Sequence, residues 1–361
     1  MKILVLKFKT IGDVLLVTPL IRNLRSNYPE SIIDVAVNQG TEDMLTLNPN
    51  IDHIWIYDRI KIKNKPIIKK IKSEFDFLKN IRKQKYDMVI DLDRGDRGAG
   101  ISLISGARIK IGSKYIKSRI VKNTYTHFLP EYEDKHVVDI NLDAIRVLDG
   151  KINDKKVELF WSKDDQKLVD KILTNESFIH IHPFSRVSYK DIDSNSISKI
   201  IDYCELDLGI NVVLTSAPIQ REINKISKIL ELCKSKPTSL SGELTLKQVA
   251  ALNKKAKLFI GVDTAIMHIS AANSTPTLAF FGPTAANRWG PWDNKLQKSL
   301  YRRRGGIQKS GMNIVYSKNL SCIPCNRRGC NNDNLKSDCL SELDFNSIKT
   351  NIGIIIDEQD N

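Results

Sequence analysis

No stretch of this sequence carries the roughly 18 consecutive apolar residues that a helix needs to cross a bilayer. The early apolar runs, Ile3–Leu6 and Val14–Val17, give way quickly to polar residues. Met1-Lys2 leads directly into a strand-like run, so a leader with an apolar middle and a small-residue cleavage site is missing as well. A chain with neither segment is expected to be cytoplasmic. The loop after the first apolar run also lacks the G-x-G-x-x-G order that cradles a dinucleotide, and Gly95-Asp96-Arg97-Gly98-Ala99-Gly100 places its glycines differently. A nicotinamide dehydrogenase is thereby disfavoured. No short-period repeat and no low-complexity tract is present.

Acids are scarce where bases gather. The net charge is 56 − 42 = +14, which points to an anionic partner. Residues 59–85 hold eleven Lys or Arg against Glu74 and Asp76, and residues 108–122 hold six against none. A nucleic acid would need aromatic side chains interleaved with such bases as stacking platforms. Phe75 and Phe77 lie beside the only acids of the first run instead, so nucleic acid is not the expected partner.

The remainder is ordinary globular composition, 41% hydrophobic and 27% charged over 361 residues, enough for about two domains. Strand-like runs at Ile3–Leu6, Ile32–Val37, Ile54–Ile56, Met88–Leu92 and Ile109–Ile111 alternate with helical patterns at Val14–Asn27 and Ile67–Gln84. The second half repeats the rhythm: strands at Phe178–Ile181, Val212–Thr215, Lys257–Ile260 and Thr277–Phe281, helices at Ile197–Asp207, Ile219–Cys233, Leu246–Lys254 and Ala265–Ala272. Such alternation predicts α/β architecture with two doubly wound parallel sheets. The expected units are 1–155, 156–340 and a C-terminal helix and tail at 341–361. After Phe281 the pattern degrades. Ligands of such sheets bind at the carboxyl ends of the strands, so the loops there are the places to look for chemistry.

Three loops stand out. Lys9-Thr10-Ile11-Gly12-Asp13 follows the first strand, and Asp13 is either a helix cap or a general base. His182-Pro183-Phe184-Ser185-Arg186, followed by Ser188 and Lys190, groups hydroxyls, a guanidinium and an ammonium as a diphosphate would require, or is a solvated loop. His180 and His182 alternate on one strand face without a further ligand at metal spacing and read as structural. Asp263-Thr264 opens a helix of small residues whose free N–H groups suit an anion or sugar hydroxyls. His268 lies within that helix, and Phe281-Gly282-Pro283-Thr284 follows the next strand.

Taken in order, Lys9–Leu16 with Thr18-Pro19, the His182–Lys190 loop, Val262–Ala272 and Phe281–Thr284 resemble the lipopolysaccharide core heptosyltransferases of glycosyltransferase family 9, over about residues 2–340. The Asn48–Asp52 run and the late cysteines are most similar to the branch that adds a side-branch heptose. The resemblance implies a GT-B fold of two Rossmann-like domains facing a crevice, with acceptor held by the first and donor by the second. It implies inverting transfer of heptose from ADP-heptose to the inner core of a lipid A–core acceptor, with no cofactor required for catalysis. By position, Asp13 is the general base, and Lys9, Thr10, Gly12, Lys69, Lys70 and Lys72 belong with the acceptor. Ser185, Arg186, Ser188, Lys190, Ser216, Asp263, Thr264, Ala265, Ile266 and His268 belong with the donor. Ala265 stands where many relatives have Gly, and Asp191-Ile192 where a Trp is frequent.

Two expectations concern other parts of the chain. Cys322, Cys325, Cys330 and Cys339 are spaced C-x₂-C-x₄-C-x₈-C. In a reducing compartment four thiolates can close a tetrahedral site, so a structural metal, zinc above all, is set against free thiols or oxidised pairs as the alternative. The basic 59–85 segment, aided by 108–122, is expected to dock at the inner face of the membrane. There Ile67, Ile68, Ile71, Phe75, Leu78 and Ile81 would pack inward and the lysines face out.

Overall fold

The structure is a computed structural model that describes every residue except 65, 115–122, 133, 174–176, 333–336 and 361. It forms two compact units, Met1–Glu133 with Val137–Phe160, and Asp134–His136 with Trp161–Asn361.

The first unit is a six-stranded sheet of β1 (Lys2–Lys7), β2 (Ile32–Asn38), β3 (His53–Tyr57), β4 (Met88–Asp91), β5 (Ile109–Ser113) and β6 (His127–Leu129). Every pairing is parallel, in the order β3-β2-β1-β4-β5-β6. Parallel strands are covered on both faces and therefore read as continuous apolar runs, as Ile3–Leu6 does with every residue buried. The strand order reverses direction between β1 and β4, the switch point where such sheets open to ligands. The expected Val14–Asn27 helix is two, Ile11–Leu15 and Thr18–Asn27. Pro19 sits in the first turn of the second, where its missing N–H leaves no bond unmade.

The second unit has β7 (Phe178–His182), β8 (Asn211–Ser216), β9 (Thr238–Ser241), β10 (Leu258–Val262), β11 (Thr277–Phe280), β12 (Gln308–Ser310) and β13 (Asn313–Tyr316), ordered β12-β13-β11-β10-β7-β8-β9. Its switch point lies between β7 and β10. Only β12 runs antiparallel among the described pairings. The degraded pattern after Phe281 thus hides two strands.

Two boundaries differ from expectation. The units part at Phe160/Trp161 rather than 155/156, because Val157 and Leu159 are buried and Glu158 N–H donates to Thr18 Oγ1 at 3.1 Å. The 341–361 region is no appendage: the Phe345–Asp360 helix sends Ile348, Ile352, Ile355 and Ile356 into the main core of the second unit.

The Ile67–Lys83 helix requires a correction. Ile81 is buried and Phe77 and Leu78 pack on the first unit's core, but Ile67, Ile68, Ile71 and Phe75 are 68%, 79%, 62% and 63% exposed. Only its carboxyl-terminal half lies on the unit. The amino-terminal half presents isoleucines and lysines together, with Lys69 and Lys72 exposed and Lys70 half-buried. Of the other basic run, 115–122 lies outside the described residues.

Candidate active site

In the first unit the chemistry gathers at the β1/β4 switch. Thr10 is the N-cap of the Ile11–Leu15 helix, and Asp13 reaches back to it. Asp13 Oδ2 accepts the Thr10 N–H at 3.2 Å and the Thr10 Oγ1 at 2.5 Å. Gly12 is buried beneath this turn, and Lys9 and Thr10 are exposed. Asp13 therefore is a cap, yet only one oxygen is engaged. Oδ1 makes no hydrogen bond among the described residues, and the side chain is half-buried.

Behind Asp13 stands a buried carboxylate pair that the sequence pattern did not single out. Asp93 Oδ2 accepts the Phe8 N–H at 2.6 Å, pinning the loop between β1 and Asp13. Asp91 Oδ1 accepts the Asp93 N–H at 2.9 Å, and Tyr125 Oη donates to Asp91 Oδ2. Lys7, only 5% exposed, supplies the compensating charge. Burial pushes the Asp91 carboxyl up to about 7, with the Asp93 charge adding and the Tyr125 hydroxyl and Lys7 opposing. Burial also raises Asp93, and the Asp13 charge adds to that shift. Gly98 leaves Asp91 its room: a Cβ there would lie 2.0 Å from Asp91 Oδ2.

In the second unit the loops after β7 and β10 converge. Lys190 Nζ donates to Asp263 Oδ2 at 2.6 Å, and Thr284 Oγ1 donates to the same oxygen at 2.6 Å. Burial alone would raise the Asp263 carboxyl; Lys190, Thr284 and His268 together hold it below its ordinary value. Thr264 is the N-cap of the Ala265–Ala272 helix, but its Oγ1 is buried with no hydrogen-bond partner among the described residues. Ala265 is half-buried and Ile266 and His268 are buried along that helix. Hydroxyl, helix N-terminus and ammonium thus share one place.

The loop carrying Lys190 is braced by a residue that sequence reading missed. Arg221, at the start of the Gln220–Leu232 helix, donates to Ser188 Oγ and to the Ser185 carbonyl, and pairs with Asp191 at 3.1 Å. Lys225 joins Asp191 at 2.7 Å, and Asp191 Oδ1 accepts the Ser185 N–H at 2.8 Å. Asp191 is thus the hub of the loop. Arg186 is exposed. Ser216 Oγ lies 2.6 Å from Ser241 Oγ at the ends of β8 and β9. His180 and His182 both meet the Thr215 hydroxyl, at 2.8 and 2.9 Å. Burial lowers the His182 imidazole to about 4 and holds His180 well below its ordinary value, so both are neutral struts.

The profile of glycosyltransferase family 9 (heptosyltransferase) matches residues 75–334. The chain belongs to glycosyltransferase family 9. Lipopolysaccharide heptosyltransferase 3 of Escherichia coli is 32% identical over 323 residues, 87% of this chain and 93% of that one. Two solved structures share the fold. The family 9 transferase of Veillonella parvula has a TM-score of 0.79 at 20% identity, over 99% of this chain and 97% of that one. E. coli ADP-heptose LPS heptosyltransferase II has 0.74 at 16%, over the whole of both. The protein is thus a glycosyltransferase with the two α/β units of the GT-B fold.

In this transferase the cysteines are all free thiols: Cys322 exposed, Cys325 and Cys330 half-buried, Cys339 buried. As arranged, no three His, Cys, Asp or Glu side chains among the described residues could hold a metal ion. Burial pushes the Cys339 thiol up to about 11, and Cys330, Cys325 and Cys322 each add to the shift. No helix among the described residues is long and apolar enough to cross a membrane.

Proposed function

We propose that this protein transfers heptose from ADP-heptose to the inner core of lipopolysaccharide with inversion at the anomeric carbon. The observation that carries the reading is similarity to lipopolysaccharide heptosyltransferase 3 along nearly the whole of both chains. Asp13 is the general base: its Oδ2 is held by Thr10 while Oδ1 is free to take the proton of the acceptor hydroxyl as that oxygen attacks. The electron pair of the broken glycosidic bond leaves with ADP. Lys190 and Arg186 stabilise the charge that grows on the diphosphate, Ser185, Ser188 and Ser216 support that side, and the Thr264–Ile266 turn meets the phosphate. Asp263, locked by Lys190 and Thr284, binds sugar hydroxyls, with His268 beside it. Lys9, Thr10 and Gly12 line the acceptor side.

Release of ADP from ADP-heptose should depend on added core acceptor, with ADP bound in preference to UDP, GDP and NAD. Acceptor-independent release, or preference for another nucleotide, overturns the assignment.

The reading places the enzyme against a membrane. The Ile67–Lys83 helix supports this better than the expected inward packing would: exposed Ile67, Ile68, Ile71 and Phe75 sit among Lys69, Lys70 and Lys72, the composition of a helix that lies in an anionic interface. It also includes a structural zinc on Cys322, Cys325, Cys330 and Cys339. The donor set supports it, four soft sulfurs within one short stretch, although the stretch must close further to bring them together. Zinc at one equivalent, with a lower Tm after chelation, is the expected result; substoichiometric zinc and an unmoved Tm end the idea.

A further inference from the structure

The Ile67–Lys83 helix is poorly supported at its start. Pro66 occupies the N-cap without a side-chain hydrogen bond, and the first turn holds no acid. It holds Lys69 and Lys70 instead, at the end of a helix where the dipole favours anions. No residue of Ile67–Lys72 is buried. With no core beneath it, this segment stands near the balance between helix and coil in water. An anionic lipid surface reverses each of these terms, since it covers the isoleucines and neutralises the lysines.

The next turn of the helix carries Glu74 and Phe77, and both meet Tyr57. Glu74 accepts the Tyr57 hydroxyl, and Phe77 meets the Tyr57 ring edge to face with centroids 5.3 Å apart. Tyr57 ends β3 and is buried. Burial and the Glu74 hydrogen bond push its hydroxyl up to about 12, with Arg97 opposing, so the hydroxyl keeps its proton and donates at physiological pH. The same ring meets Phe8 at 5.8 Å and the Arg97 guanidinium at 4.4 Å. Phe8 is the residue whose N–H Asp93 holds, and the Thr10–Asp13 turn follows it closely. Tyr57 thus touches both the helix and the loop that carries Asp13.

We propose that Tyr57 is a positioning residue for the Asp13 loop, and that an anionic lipid surface raises turnover through it by ordering the Ile67–Ser73 turns and so fixing Glu74. This rests on the membrane docking and the general base proposed above. The lipid is then an activator as well as a place to dock, and the enzyme turns over slowly away from it.

The test uses the full-length enzyme and a core oligosaccharide freed of its acyl chains, so that lipid cannot act by concentrating the acceptor. With phosphatidylglycerol vesicles kcat should rise roughly three- to tenfold, the net scale of one hydrogen bond, while the KM for ADP-heptose holds. Phosphatidylcholine vesicles should leave kcat unmoved. Tyr57→Phe and Glu74→Ala, each checked for an unchanged Tm, should bind the anionic vesicles and lose the rise. Glu74→Gln, which keeps an acceptor oxygen, should regain it. Hydrogen exchange needs no turnover: lipid should slow Ile67–Ser73 in all four proteins, but Phe8–Asp13 only in the unaltered protein and Glu74→Gln. Vesicle binding without a rise in kcat, a rise that survives Tyr57→Phe, or unslowed exchange at Phe8–Asp13 overturns the proposal and leaves the docking intact. Absence of vesicle binding fails the docking, and this proposal with it.

Discussion

At the residue scale the protein divides its carboxylates between two tasks. Asp13 is a half-buried acceptor with a free oxygen, and Asp13→Asn keeps the cap's shape while removing the proposed base. That variant should fold, bind ADP and lose about 10²–10⁴ in kcat; near-normal turnover would assign the proton elsewhere. Asp91 is the opposite case, buried and raised to about 7 from an ordinary 3.8. Between those values the folded state keeps a proton that the unfolded chain gives up. The associated stability is therefore present at low pH and lost as pH rises from about 4 through 7. Urea unfolding of the native protein and Asp91→Asn should show a difference in stability that shrinks across that window and is level above it. A constant difference would mean that Asp91 does not titrate there. Asp13 was legible because a short Gly turn directly after an apolar run marks it. Asp91 was not, since its meaning depends on Tyr125, 34 positions away, and no local period encodes that contact.

At the scale of elements, strands and helices were readable wherever burial imposes a period and unreadable where it does not. β12 is Gln308–Ser310, with no apolar residue, and exists because β13 offers it an edge. The Ile67–Lys83 helix was readable as a helix but not in its orientation, because an isoleucine stripe looks the same facing a core or a bilayer. Replacing Ile68, Ile71 and Phe75 with Ser should weaken binding to phosphatidylglycerol vesicles at least tenfold, given about 1.5–3 kcal/mol for burying each large side chain, and the loss should persist in high salt. Replacing Lys69, Lys70 and Lys72 with Gln should weaken binding chiefly at low salt, where charges are unscreened. Vesicle binding indifferent to both sets would leave the helix simply solvated. The Gln220–Leu232 helix contributes through its first turn: Arg221→Ala releases Ser185, Ser188 and Asp191 together and should raise the KM for ADP-heptose about tenfold, with partial rescue by Arg221→Lys. An unchanged KM would reduce Arg221 to a surface brace.

For the whole molecule, two sheets with reversed strand order each put their candidate functional loops at the reversal: Asp13 with Asp93 between β1 and β4, Lys190 with Asp263 between β7 and β10. That correspondence was legible as a principle of open sheets, and the sequence pointed to Asp13, Lys190 and Asp263 but not to Asp93. The ion pair itself was not legible, because Lys190 and Asp263 are 73 positions apart and were read as separate contacts. Because the loops proposed to hold the donor belong to the second unit, ADP should stabilise that unit by about 2.7 kcal/mol at a hundredfold excess over Kd. Hydrogen exchange should therefore slow in β7, β10 and the Ala265–Ala272 helix while β1 and β4 stay unchanged. Equal protection of both sheets would show that ADP is read by the whole molecule.

The close approach of Gly98 to Asp91 also constrains how this sequence can drift. With the carboxylate in place, position 98 has no tolerance for even a methyl group. Positions 91 and 98 must then vary as a couple: alanine can enter at 98 only after 91 has become smaller. In a selection from a library randomised at both positions, survivors should be either Asp91 with Gly98 or a shortened residue 91 with freedom at 98, and the mixed combinations should be missing.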